Sequence, residues 1–161
     1  MNRRSFLLFT GAVLLSLSVP ARAGEAEDLR QAIEAIVREY SNLGKKPFET
    51  KWPGGNVREK YETQADGTQS YTRFFPGGGF AVRFQKKPSK AIYYERWWGN
   101  GKTRELLNYD ERIIAYTSYW ENGNHHQKFM LNKQTKERSY QRYDQDGKQV
   151  VPSGASLPPS S

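Results

Sequence analysis

A five-fold repeat constrains this chain more than any other feature of it. Glycine-centred segments recur as Trp52-Pro53-Gly54-Gly55-Asn56, Phe75-Pro76-Gly77-Gly78-Gly79, Trp98-Gly99-Asn100-Gly101-Lys102, Trp120-Glu121-Asn122-Gly123-Asn124 and Asp144-Gln145-Asp146-Gly147-Lys148. Their anchor glycines at 55, 78, 101, 123 and 147 are spaced by 23, 23, 22 and 24 residues. Seven residues before each anchor stands an aromatic: Phe48, Tyr71, Tyr94, Tyr116 or Tyr140. Four before it stand Lys51, Phe74, Trp97, Tyr119 and Tyr143. A fixed period with constant turn chemistry and aromatic phase marks a repeat protein, in which one supersecondary unit is stacked on copies of itself.

The unit reads as strand, tight turn, strand. Asn-Gly, Gly-Gly and Asp-Gly centres favour two-residue primed hairpin turns, whose central residues both need positive φ. Such a turn sets the register: the residue three before an anchor pairs with the one two after it, five before with four after, and seven before with six after. Since side chains alternate across a strand, the faces follow. One face, expected to be the core, collects Tyr71 opposite Phe84, Tyr94 opposite Leu107, Tyr116 opposite Phe129 and Ile114 opposite Leu131. It also takes Phe75 with Phe80, Trp98 with Thr103, Trp120 with His125, and an Arg96–Glu105 cross-strand ion pair. The other face carries Thr72 by Arg83, Glu95 by Leu106 and Thr117 by Lys128. On it the register also predicts Phe74 by Ala81, Trp97 by Arg104, Tyr119 by His126 and Tyr143 by Val150.

That second face holds the candidate site. The row Phe74, Trp97, Tyr119, Tyr143 with the basic residues Arg83, Arg104, His126 and Lys128 forms a basic-aromatic surface, and Tyr, Trp and Arg dominate interface hot spots. Trp97 beside Arg104 suits a cation–π contact. The competing reading is structural, with the rings stacking along the sheet or lying under a second layer.

Composition agrees with a sheet covered by amphipathic rings. Hydrophobic residues make up 36% and aromatics 14%, among them 10 Tyr, which is thin for an aliphatic core and ample for ring packing. The formal charge is +8. Arg3, Arg4 and Arg22 precede residue 24, which leaves 22 Lys+Arg against 17 Asp+Glu, or +5. That balance favours an acidic partner and gives no ground for nucleic-acid binding.

Residues 1–23 read as a cleavable signal peptide: Arg3-Arg4, an apolar run from Phe6 to Val19, then Ala21-Arg22-Ala23, with cleavage between Ala23 and Gly24. The run falls short of the roughly 20 residues a membrane span needs, so no transmembrane segment is expected in the mature chain. Export to the periplasm or beyond is expected, by the general secretory or the twin-arginine route. Without any cysteine there is no lipid-anchor thiol, disulfide or thiolate metal site.

Residues 24–44 read as one amphipathic helix: Leu29, Ile33, Ile36, Val37 and Tyr40 form a stripe, and Gly44 suits the stop. It is expected to cover one end or face of the sheet. The repeats then run over 48–151, and the Pro/Ser-rich stretch 152–161 reads as a disordered tail. The fold class is therefore mainly β, an open antiparallel meander of stacked hairpins with one N-terminal helix.

The aromatic-x-x-Asn/Asp-Gly-Lys unit on this step resembles the variant MORN repeat, as in the so-called YwqK-family antitoxins. Tyr119-Trp120-Glu121-Asn122-Gly123 and Tyr143-Asp144-Gln145-Asp146-Gly147-Lys148 match it best, and the two Pro-Gly-Gly turns depart furthest. The resemblance implies an open hairpin sheet without catalytic residues. It also implies, from exported relatives that neutralise secreted toxins, an immunity-like role.

Nothing in the residues argues for an enzyme, and none is expected. Histidines 125 and 126 are strand neighbours that point to opposite faces, a poor pair for one metal ion, and no nucleophile elbow, Walker loop or dinucleotide fingerprint occurs. No cofactor is expected. The expected function is an exported, non-catalytic binding protein that neutralises a partner toxin or envelope enzyme. The alternatives are an envelope module binding acidic lipid headgroups or glycan through rings and cations, and a purely structural scaffold.

Overall fold

The computed structural model describes residues 23–43 and 46–150. The leader over 1–22, the helix stop at Gly44 and the tail at 152–161 lie outside the described residues. An α-helix, α1 (Ala23–Ser41), precedes nine strands among the described residues: β1 (Phe48–Lys51), β2 (Val57–Thr63), β3 (Gln69–Phe74), β4 (Phe80–Lys86), β5 (Ile92–Trp97), β6 (Thr103–Tyr109), β7 (Ile113–Tyr119), β8 (His125–Asn132) and β9 (Arg138–Arg142). They form one antiparallel sheet in sequence order, each strand paired with its chain neighbours. The open hairpin meander read from the repeats is the fold. Of the fifth repeat's second strand only a bridge from Tyr143 to Gln149 forms, in place of Tyr143 by Val150.

Away from the turns the register agrees with the pairing reckoned from the anchors. Tyr71 faces Phe84, Tyr94 faces Leu107, Tyr116 faces Phe129, Ile114 faces Leu131 and Arg96 faces Glu105. Near the turns it does not, because the turns are not two-residue primed ones. In the third repeat Gly101 N–H donates to Trp98 C=O at 3.0 Å and Trp98 N–H to Lys102 C=O at 2.8 Å, enclosing a three-residue loop. Only the anchor glycine takes positive φ, +80° at Gly101 and +98° at Gly123, which is a type I turn closed by a glycine bulge. The longer loop shifts the adjacent pairs by one residue, so Trp97 faces Thr103, Phe74 faces Phe80 and Tyr119 faces His125. A second bulge then absorbs one residue, namely Arg58, Ala81, Arg104 or His126, and restores the register beyond it. Two one-residue errors cancel, which is why the core pairs come out right.

The side that α1 covers is the Tyr71/Tyr94/Tyr116 face. Ile33 is fully buried and Ala26 nearly so, with Leu29, Ile36, Val37 and Tyr40 packed around them on Tyr61, Tyr71, Phe84, Tyr94, Leu107, Ile114, Tyr116, Phe129 and Tyr140. The helix starts over β9, where Glu25 lies 3.8 Å from Arg142. It ends over β3–β5, where the Tyr40 ring sits 5.4–5.5 Å from those of Tyr71, Phe84 and Tyr94. Its length fits that span: 19 residues at about 1.5 Å each reach about 28 Å, and six strand spacings of about 4.8 Å come to about 29 Å. One helix thus seals seven strands, and the other face has no covering element among the described residues.

Tyrosines suit this core because their hydroxyls reach its rim. Tyr71 donates to Glu59 at 2.8 Å, Tyr94 to Glu105 at 3.4 Å, and Tyr140 accepts from Gln127 at 3.0 Å. The rings are buried while the hydroxyls stay satisfied. Burial, first, holds the Tyr71, Tyr94 and Tyr116 hydroxyls well above the usual phenol range, and the Glu59 or Glu105 carboxylate adds to it.

Candidate functional site

The residues predicted to form one basic-aromatic surface divide between the two faces. Phe74, Trp97, Tyr119, Tyr143, Arg83 and Lys128 belong to the uncovered face. Arg104 and His126 do not: as bulge residues they turn to the helix side and stack on the tryptophans of their own turns. The guanidinium carbon of Arg104 lies 4.4 Å from the Trp98 centroid, and the His126 ring 3.9 Å from that of Trp120. The expected Trp97–Arg104 contact is therefore replaced by Trp98–Arg104. Phe80 and His125, expected among the core residues, move the other way onto the uncovered face.

On that face the residues beside each turn form one row across the sheet: Phe74, Phe80, Trp97, Thr103, Tyr119, His125 and Tyr143. Thr103 divides it into two aromatic groups. In the first, the Phe80 centroid lies 5.3 Å from Phe74 and 5.5 Å from Trp97. Arg83, from the next row, holds its guanidinium carbon 4.6 Å from the Phe80 ring and 5.6 Å from the Trp97 ring. In the second, His125 lies between Tyr119 at 5.1 Å and Tyr143 at 5.9 Å, with Lys128 Nζ 5.5 Å from the Tyr143 centroid. Each group is a set of rings topped by one cation, the arrangement in which ring quadrupoles hold a positive charge.

Charge on this face is arranged unevenly. Glu95, opposite Arg83, accepts hydrogen bonds from the hydroxyls of Tyr93 and Thr103. Burial, then that bond to Glu95, pushes the Tyr93 hydroxyl up to about 12. Partial burial, then the Lys128 charge, lowers the His125 pKa, so His125 is a neutral ring at neutral pH. His126 is lowered likewise, by burial first and then by Arg142.

Sequence reasoning missed four residues of this surface. Phe80 is 43% exposed, Met130 54% and Ile113 41%, and the strand alternation puts all three on the uncovered face, as it does His125. The sheet also bears two shallow hollows, one of about 210 Å³ bounded by Leu106, Ala115, Lys128 and Met130, the other of about 420 Å³ bounded by Arg83, Gln85, Tyr93 and Asn108. The signal that would have found Phe80 and His125 is the second small residue in turns such as Gly77-Gly78 and Gly99-Asn100-Gly101, which fits a three-residue loop with one bulge glycine.

Among the described residues no group of three or more His, Cys, Asp or Glu side chains is placed to hold a metal ion, and no helix is long and apolar enough to cross a membrane. Compared with known proteins, the chain matches no family model and no curated protein sequence.

Proposed function

We propose that this is an exported, non-catalytic binding protein that docks an acidic protein partner on its uncovered sheet face, in the manner of an immunity protein against a toxin or envelope enzyme. The observation that carries the reading is the coincidence on one face of three exposed large hydrophobics (Phe80, Ile113, Met130), two ring clusters and their two capping cations, Arg83 and Lys128. Exposed apolar surface flanked by polar groups marks an interaction site, and rings with cations form the usual energetic centres of an interface. The variant MORN likeness of the repeats supports the same role. Export rests on the leader, so the secreted product should begin at Gly24.

The test is a pull-down from the producing cell's envelope fraction, followed by affinity measurement with the captured acidic protein. The paired change Phe80→Ala with Lys128→Ala should leave the melting temperature within a few degrees and weaken binding by about 2 kcal/mol or more, as for hot-spot residues. Full-strength binding by that folded variant would remove the uncovered face from the interaction. Mass spectrometry that finds residue 1 retained on the exported protein would remove the leader.

A further inference from the structure

On the helix side, the turns are laced together in a ladder with one rung missing. Trp52, Trp98 and Trp120 each donate the indole N–H to a backbone carbonyl of the next repeat: Phe74 at 3.3 Å, Tyr119 at 3.3 Å and Tyr143 at 3.1 Å. Each is overlaid by the bulge residue of its own hairpin, with the Arg58 guanidinium carbon 5.2 Å from Trp52, Arg104 on Trp98 and His126 on Trp120. The turn asparagines add a second stitch, Asn56 to Pro76 C=O, Asn100 to Glu121 C=O and Asn122 to Gln145 C=O.

The second repeat lacks all three devices. Phe75 stands where the others have Trp and has no N–H to give, Gly77 and Gly79 replace the asparagines, and Ala81 replaces the stacking Arg or His. At this repeat lies a cleft of about 310 Å³ lined by Phe75 and Ala81, with Trp52 and Trp98 on either side and Arg73, Arg96 and Arg104 around it. Arg96 and Arg104 share Glu105, at 3.6 and 3.4 Å. Arg73 is exposed and has no ion pair among the described residues.

We infer that this cleft is a binding site, separate from the uncovered face, for a six-membered ring that carries a carboxylate. The ring stacks on Phe75, in the place that the bulge side chain takes over the tryptophan in the other hairpins and that Ala81 leaves open, and the carboxylate takes the Arg73 guanidinium, whose fork matches it in a bidentate pair. Two arginines of the cleft already receive such a group, since Arg96 and Arg104 both pair with the Glu105 carboxylate. Its volume is at the lower end of small-ligand sites, enough for a single ring. Two sources share this chemistry, a uronate residue of an acidic glycan and an aromatic carboxylic acid.

The test is calorimetric titration of the exported chain with glucuronate, benzoate and glucose. At least one of the two carboxylates should bind, at least tenfold more tightly than glucose, and the one that binds identifies the source. Arg73→Ala should weaken that binding about tenfold or more. The double variant Phe75→Trp with Ala81→Arg, which supplies the missing rung, should abolish it with the melting temperature unchanged or raised. Tyr143→Ala on the uncovered face should leave it intact, so the partner-docking reading and this one stand or fall separately. No binding by either carboxylate at millimolar concentration, equal binding of glucose, or unchanged affinity in Arg73→Ala would overturn the inference. If the double variant melts lower, Arg73→Ala alone decides.

Discussion

The guanidinium carbon of Arg104 lies 4.4 Å from the ring centroid of Trp98, the tryptophan of its own turn, while Trp97 faces the other side of the sheet under Arg83. One bulge residue decides this. Strict alternation counted through the turn puts Arg104 beside Trp97, and the extra residue of the bulge rotates it to the helix side. A double-mutant cycle reads the difference directly. Arg104→Ala and Trp98→Ala should show a coupling of about 0.5–1 kcal/mol in urea unfolding, and Arg104→Ala with Trp97→Ala a coupling near zero. The reverse order would restore the two-residue turn.

The turn type has its own test. Gly123 has φ +98°, so Gly123→Val should cost more than about 1 kcal/mol. Gly99 lies in the same kind of loop without positive φ, and a β-carbon there meets nothing within 4 Å. Gly99→Ala should therefore be neutral or stabilise by up to about 1 kcal/mol, through the unfolded chain alone. Paired urea titrations of the two variants check both claims.

An outer turn repeats the geometry with the wrong residue. Lys87 C=O accepts from Lys90 N–H at 2.9 Å, and Lys90 takes φ +64° where the inner turns have glycine. Left-handed backbone is unfavourable for a side chain with a β-carbon. Lys90→Gly should raise stability by about 0.5–1 kcal/mol, read as a higher urea midpoint at constant slope.

The helix and the sheet should unfold together. Ile33 is fully buried against the sheet and Tyr116 is 7% exposed beneath the helix. Ile33→Ala should cost about 2–5 kcal/mol and Tyr116→Ala about 3–5 kcal/mol, each lowering the helical and sheet signals in one transition. A helix signal that melts first would show that α1 is a separate appendage.

Stability should fall at both ends of the pH scale. His125 and His126 have folded pKa values below the ordinary 6.5, so the unfolded chain binds protons first on acidification. Their contribution is present above pH 6.5 and is lost as pH falls through the folded values. Tyr71, Tyr94 and Tyr116 are raised above the ordinary 10.0, so the unfolded chain loses protons first on the alkaline side. That stability is present below pH 10 and is lost as pH rises beyond it. Thermal melts from pH 5 to 11 should show the dome, and the variant His125→Gln with His126→Gln should flatten its acid side only.

The period of the repeats by itself determined that the chain forms consecutive hairpins, and the phase of the aromatics determined which strand residues pair and share the core. Tyr71, Tyr94 and Tyr116 are legible because seven residues before an anchor is far enough from the turn for its irregularities to cancel. The stripe Leu29, Ile33, Ile36, Val37, Tyr40 likewise announced an amphipathic helix. Only the tertiary structure decided what lies within four residues of each glycine. There the hydrogen bonds of the loop and the bulge, rather than alternation, choose the side a residue takes, which moved Arg104 and His126 to the helix and Phe80 and His125 away from it. It also decided which face α1 covers, because that depends on a helix of about 28 Å lying across strands drawn from four of the five repeats. No local pattern encodes that crossing; the burial of Ile33 against rings more than 25 residues away does.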